Sequence, residues 1–190
     1  LGRFQKELLR KKERTCGRFD SRLMGIDRDS GGARYDYDPS MAAINGPFSA
    51  TIKHYLRHEL GYQTDVPYET LTGRVHPWSY RSYQNRYVNV GETLRQAMTK
   101  NPHLRVMLAS GYYDLATPYF ASDYTMNHLL LAPELRSHIT TAYYEAGHMM
   151  YIHTPSREKL KRDVVAFYRE ALRGGTAAAS KEGAAAAKQE

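Results

Sequence analysis

At 190 residues the chain is long enough for one domain with a sizeable core and too short for two full ones. Apolar residues make up 42% and charged residues 25%, which excludes wholesale disorder, and no apolar run approaches the roughly 20 residues of a membrane-crossing helix. The net charge of +7 is uneven: residues 1 to 34 hold ten Lys or Arg against five Asp or Glu.

The opening "RFQKELLRKK" has apolar residues at 4, 8 and 9, a pattern that predicts a short amphipathic helix with a basic last turn. The chain opens on Leu1 rather than Met, as expected of a processed or trimmed segment. Cys16 is the only cysteine, so no intrachain disulfide forms, and a packed thiol is the expectation for it. From Thr15 to Gly46 the periodicity disappears. "GIDRDSGGARYDYDPSMAAINGP" predicts a long ordered loop or lid rather than a core element. Its neighbourhood carries Asp20, Asp27, Asp29, Asp36 and Asp38, yet the glycine and terminal glutamate spacing of a calcium loop is absent, so no metal site is expected.

Phe48, Ile52, Tyr55, Leu56 and Leu60 form one stripe at helical spacing, closed by Gly61 where a left-handed cap belongs. His54 and His58, four apart, have zinc-ligand spacing but no third ligand nearby, so solvated histidines are expected. Residues 63 to 87 are irregular, aromatic and proline-punctuated. Asn89 is a candidate N-cap for a helix to Lys100 with Val90, Leu94, Ala97 and Met98 on one side. Next come a short apolar run ending "ASG", a helix over "TPYFASDYTMNHLLL", the run "ITTAYYEAG", and a final helix with Leu160, Val164, Phe167, Tyr168 and Ala171 on one face. Strand, helix, strand, helix at short spacing is the pattern of an open α/β sheet. The expected division is 1–87 as a lid-like and connecting segment, 88–172 as the α/β part, and 173–190 as a disordered tail.

Ligands of open α/β sheets gather at the carboxyl ends of the strands. Two loops leave such ends. "SGYYDLATP" places Asp114 four residues after Ser110, and "EAGHMM" places His148 four residues after Tyr144. A histidine acting as base needs an acceptor on its other ring nitrogen, and an aspartate supplies one. Taken singly, Asp114 is expected to form an Asx turn and His148 to pack or cap; side by side they would be an acid and a base. Asp before His, each after a late strand, is the second half of the order used by α/β-hydrolases. No Gly-x-Ser-x-Gly occurs in these residues, and Ser49 and Ser110 lack the setting of a nucleophile elbow.

The segments "LRVMLASGYYDLATPYFASDYTMNHL" and "ITTAYYEAGHMMYIH" resemble the C-terminal part of the serine carboxypeptidase-like family, peptidases of the α/β-hydrolase fold. "GRFDSRLMGIDRD", "YDPSMAAINGPF" and "RVHPWSY" are similar to its bacterial branch, so the resemblance covers residues 1 to about 172. It implies the C-terminal half of an α/β-hydrolase fold, late parallel strands plus helices, with part of a cap or lid. It further implies Asp114 as triad acid, His148 as triad base, and Met149 lining the pocket for the departing C-terminal residue. The implied reaction removes one residue from a peptide's carboxyl end through an acyl-enzyme, without metal or organic cofactor.

The chain departs from the family in three respects. The nucleophile segment is not matched, "GYYD" keeps one aspartate where many relatives have Asp-x-Asp, and the disulfides of eukaryotic members cannot form. A fragment inactive by itself is therefore expected, whose parent acts on peptides, binds no nucleic acid and works in the periplasm or outside the cell by family analogy. Two other readings stay open: an esterase with the same acid and base loops, and a non-catalytic basic module using residues 1 to 34 to hold polyanions.

Overall fold

A computed structural model describes residues 1–29, 31–70 and 72–186, with side chains to residue 173. The chain divides into two units, Leu1–Val88 and Asn89–Glu190, and its architecture is mixed α/β.

The first unit begins with helix α1, Gly2–Leu9, followed by strands β1, Arg14–Cys16, and β2, Met24–Ile26. The two strands pair antiparallel with Thr15 opposite Gly25. α1 packs on β1 with its polar side inward, the reverse of the expected amphipathic helix. Gln5 and Lys6 are fully buried while Phe4 and Leu8 are more than half exposed. The cause is specific pairing. Gln5 donates to the Cys16 carbonyl at 2.8 Å, and Lys6 meets the Asp27 carboxylate at 2.9 Å, both side chains out of water. The Lys6 ammonium also donates to the carbonyls of Asp29 and Arg34, tying the backbone at these two residues to the helix. Once buried, the two charges must stay together, since removing one partner strands the other at a cost of about 3–5 kcal/mol.

The expected loop, residues 25–47, is corrected: it contains the last two residues of β2 and the first nine of helix α2, Pro39–His54, and the aperiodic stretch from Thr15 also holds most of β1. Three-residue strands are too short for alternation to register. The helix start is written in capping chemistry instead: Asp38 accepts from the Ser40 and Met41 amides, and Pro39 occupies the first turn. α2 continues as a π turn, Tyr55–Glu59, and Gly61 takes φ +63°, the left-handed closure expected of it. The stripe itself does not become core within this unit. Ile52 and Leu56 are half-buried, but Phe48, Tyr55 and Leu60 are exposed.

In the second unit, helix α3 spans Gly91–Lys100 and strand β3 spans Val106–Gly111. Helices α4, Tyr119–Asn127, and α5, Pro133–Arg136, lead to strand β4, Ile139–Tyr144, and helix α6 is drawn over Thr154–Ala186. The expected tail lies outside the described residues for its side chains from 174 and altogether from 187. β3 and β4 pair in parallel, from Val106 opposite Ile139 to Gly111 opposite Tyr144. The expected cap is corrected by one residue: Val90 holds the N-cap position without a side-chain bond, and Asn89 before it accepts from the Gly91 amide at 2.9 Å in an Asx turn. Of the expected face of α3, Met98 is buried and Leu94 partly so, whereas Val90 and Ala97 are exposed. Met98 packs with Leu129, Leu131 and Leu135 in the principal core. α4 stops at Asn127 because the chain must turn there: Leu130 adopts φ +53° and points outward so that Leu129 and Leu131 can both point in.

α6 is fastened to β4. Tyr144, Ala146 and Met150 form a buried cluster against which Leu160 packs. The Tyr144 hydroxyl donates to Asp163 at 2.9 Å, Lys159 reaches the same oxygen at 2.6 Å, and its ammonium lies 4.6 Å from the Tyr144 ring centre. Of the expected α6 face, Tyr168 is exposed and the other four are half-buried. The Lys159 hydrogen bond, helped by Tyr144, holds the Asp163 carboxyl below its ordinary value. A lowered carboxyl stabilises the fold above the unfolded-state value, and this contribution is lost as protons bind. The second unit should therefore lose stability as pH falls below 3.8, the ordinary aspartate value. Asp163→Asn should cost about 1–2 kcal/mol at neutral pH and flatten that dependence, measured by hydrogen exchange of the β4 amides.

Candidate active site

The site starts from a backbone constraint at the ends of the two parallel strands. Gly111 lies so close to the opposite loop that a Cβ on it would sit 2.3 Å from the Gly147 carbonyl oxygen and 2.5 Å from that of Ala146. Backbone atoms cannot yield to a methyl group, so only glycine permits this approach. The ladder then runs past the formal strand ends: the Tyr112 amide donates to the Tyr144 carbonyl at 3.0 Å and the Tyr113 amide to that of Ala146 at 3.1 Å. The loops carrying Asp114 and His148 are thereby zipped together.

Asp114 is buried, 5% exposed, and both carboxylate oxygens are occupied. Oδ1 accepts from the amides of Ala116 at 2.7 Å and Thr117 at 2.9 Å. Oδ2 accepts from the Thr117 hydroxyl at 2.7 Å and pairs with His148 Nδ1 at 2.8 Å. These donors suit a carboxylate and fix its plane. The His148 side chain is 39% exposed, so the carboxylate is withdrawn from water while the imidazole reaches the surface. Thr117 Oγ1 also lies 3.2 Å from His148 Nδ1.

Asp114 and His148, thirty-four positions apart, are thus brought into hydrogen-bonding contact. Asp114 is at the same time the Asx-turn residue that its position after a strand predicts. Met149, half-buried beside His148, accepts the Ile152 amide at 3.1 Å and opens the turn Met150–Ile152. Thr117 and Gly111 were not singled out from the sequence. The signal for Thr117 was the spacing Asp-x-x-Thr before a proline, which lets one side chain satisfy two amides and a hydroxyl. A strand-terminal glycine is too common to signal a close approach by itself.

The remaining candidates have local partners. His153 meets the Ser156 hydroxyl at 2.8 Å and its carbonyl takes the Arg157 amide in the first turn of α6. His54 and His58 lie with ring centres 4.7 Å apart and planes tilted by 30°, exposed at the end of α2 and the π turn that continues it. The five early aspartates each serve the local fold: Asp20 with Arg22, Asp27 with Lys6, Asp36 with Arg28, Asp29 on the Gly31 and Gly32 amides, and Asp38 as the α2 cap. Among the described residues no group of three or more His, Cys, Asp or Glu is placed to hold a metal ion, and no helix is long and apolar enough to cross a membrane. Lys6, Arg10, Arg22 and Arg28, four of the ten early cations, are held in ion pairs, which weakens the field expected of a polyanion-binding surface.

Gly111→Ala should force the two loops apart, destabilising the second unit by about 1–3 kcal/mol in urea unfolding and scattering the His148 ring resonances. No family model matches the chain, no curated protein or solved structure is similar to it, and none of these comparisons ties it to serine carboxypeptidases.

Proposed function

We propose that Asp114 and His148 are the acid and base of a serine-type hydrolase of the α/β-hydrolase kind, acting as a carboxypeptidase on the free carboxyl end of peptides. One observation carries this: the 2.8 Å contact between Asp114 Oδ2 and His148 Nδ1, made by residues three and four positions beyond Gly111 and Tyr144, the last pair of the neighbouring parallel strands. That contact commits Nδ1 to the carboxylate and leaves Nε2 as the nitrogen that takes a proton. His148 then removes the proton of an attacking hydroxyl, Asp114 stabilises the imidazolium, and the same proton passes to the departing amine. Water repeats the cycle on the acyl-enzyme. Met149, beside the base, lines the subsite of the residue being released.

The nucleophilic serine and the oxyanion donors are assigned to sequence outside these 190 residues, since no Gly-x-Ser-x-Gly occurs within them. An acid and a base without nucleophile or oxyanion hole have little to act on. The purified 190-residue chain should release no C-terminal amino acid from blocked dipeptides. The product of the whole reading frame should release it, with His148→Ala lowering turnover about 10⁶-fold and Asp114→Asn about 10⁴-fold. Undiminished turnover in His148→Ala would remove the base from the mechanism. Efficient ester cleavage without any amino-acid release would replace the peptidase with an esterase.

A further inference from the structure

We infer that Thr117 is a positioning residue that holds His148 in the tautomer with its proton on Nδ1; this rests on the acid–base reading of the pair. A threonine hydroxyl has one proton to give. Two acceptors lie within reach of Thr117 Oγ1: Asp114 Oδ2 at 2.7 Å and His148 Nδ1 at 3.2 Å. The shorter contact, to a carboxylate, takes the proton. Oγ1 then faces the ring with lone pairs only. Asp114 Oδ2, at 2.8 Å from the same ring nitrogen, also faces it with lone pairs. Nδ1 is therefore flanked by two acceptors and must carry hydrogen, and the lone pair of the neutral ring resides on Nε2.

The same residue acts once more, through its backbone. The Thr117 amide donates to Asp114 Oδ1 at 2.9 Å, beside that of Ala116 at 2.7 Å. One threonine thus touches both carboxylate oxygens and the imidazole. Valine keeps the amide and nearly the shape while removing the hydroxyl, so the side-chain contribution can be isolated. With valine, Oδ2 loses one of its two donors and the ring loses its second acceptor. The carboxylate plane is still held through Oδ1, but the ring is freer to rotate and to take up the Nε2–H form.

The test uses the full 190-residue chain, ¹⁵N-labelled, with two-bond proton–nitrogen spectra recorded at alkaline pH and His148 assigned by comparison with His148→Gln. The wild-type ring should show the Nδ1–H form. Thr117→Val should show a mixture of the two tautomers, with exchange of the Nδ1 proton roughly tenfold faster, as expected for one lost hydrogen bond. Thr117→Ser should restore the wild-type pattern. An unchanged tautomer and exchange rate in Thr117→Val would overturn the inference, as would a serine variant that behaves like valine. Should Thr117→Val disturb the β3 and β4 amides, Thr117→Ala decides in its place: a mixture of tautomers with faster Nδ1 exchange upholds the role of the hydroxyl, and an unchanged Nδ1–H form refutes it. Failure of the hydrolase reading is distinguishable. A hydroxyl-dependent tautomer in a chain whose whole parent product hydrolyses nothing removes the enzyme and leaves the positioning role. The opposite pair of results removes Thr117 alone.

Discussion

The arrangement of the second unit depends on how closely two backbones approach at the ends of its parallel strands. Because Gly111 has no side chain, the carbonyls of Ala146 and Gly147 can occupy the space a Cβ would need, and the loops beyond are drawn into register. Hydrogen bonds from Tyr112 and Tyr113 extend the pairing toward Asp114. The juxtaposition of acid and base thus follows from sheet geometry and does not require two flexible loops to find each other.

Around that constraint the chemistry is layered by exposure. Asp114 is buried and its oxygens accept from two amides, a hydroxyl and an imidazole, so the desolvation that burial imposes on a charge is offset by specific donors. His148 is more exposed and stands between this fixed carboxylate and the surface. A fixed carboxylate holding a partly exposed imidazole is the arrangement that the proposed general-base role requires. The support behind β4 is also polar: Tyr144, Asp163 and Lys159 tie α6 to the strand that delivers His148. In the first unit, Lys6 plays the corresponding part, joining α1 to Asp27 and to the Arg34 carbonyl.

What could be read from the sequence divides along physical lines. The two parallel strands were legible because "LRVMLASG" and "ITTAYYEAG" are short apolar or β-branched runs, each closed by a glycine, with a helical pattern between them. The dyad was legible because Asp114 and His148 each stand four residues after a strand residue, Ser110 and Tyr144, although the ladder sets these two one position out of register. Periodicity failed where polar contacts decide burial. Nothing in "RFQKELLRKK" says that Gln5 and Lys6 turn inward, since their partners, the Cys16 carbonyl and Asp27, lie beyond the helix. It failed again for β1 and β2, which are too short to alternate, and for the stripe from Phe48 to Leu60, where helical spacing was right but the apolar side is largely exposed within its unit. Thr117 escaped because its role depends on a side chain thirty-one positions away.

The central claim is that the carboxylate of Asp114 and the imidazole of His148 share a hydrogen bond in the folded chain. One-dimensional proton spectra in water, searched downfield of the amide region, test it most directly. A ring proton resonance there that vanishes in Asp114→Ala, while the β3 and β4 amides keep their positions, is the predicted result. A downfield region that is the same in Asp114→Ala as in the wild-type chain would contradict the account.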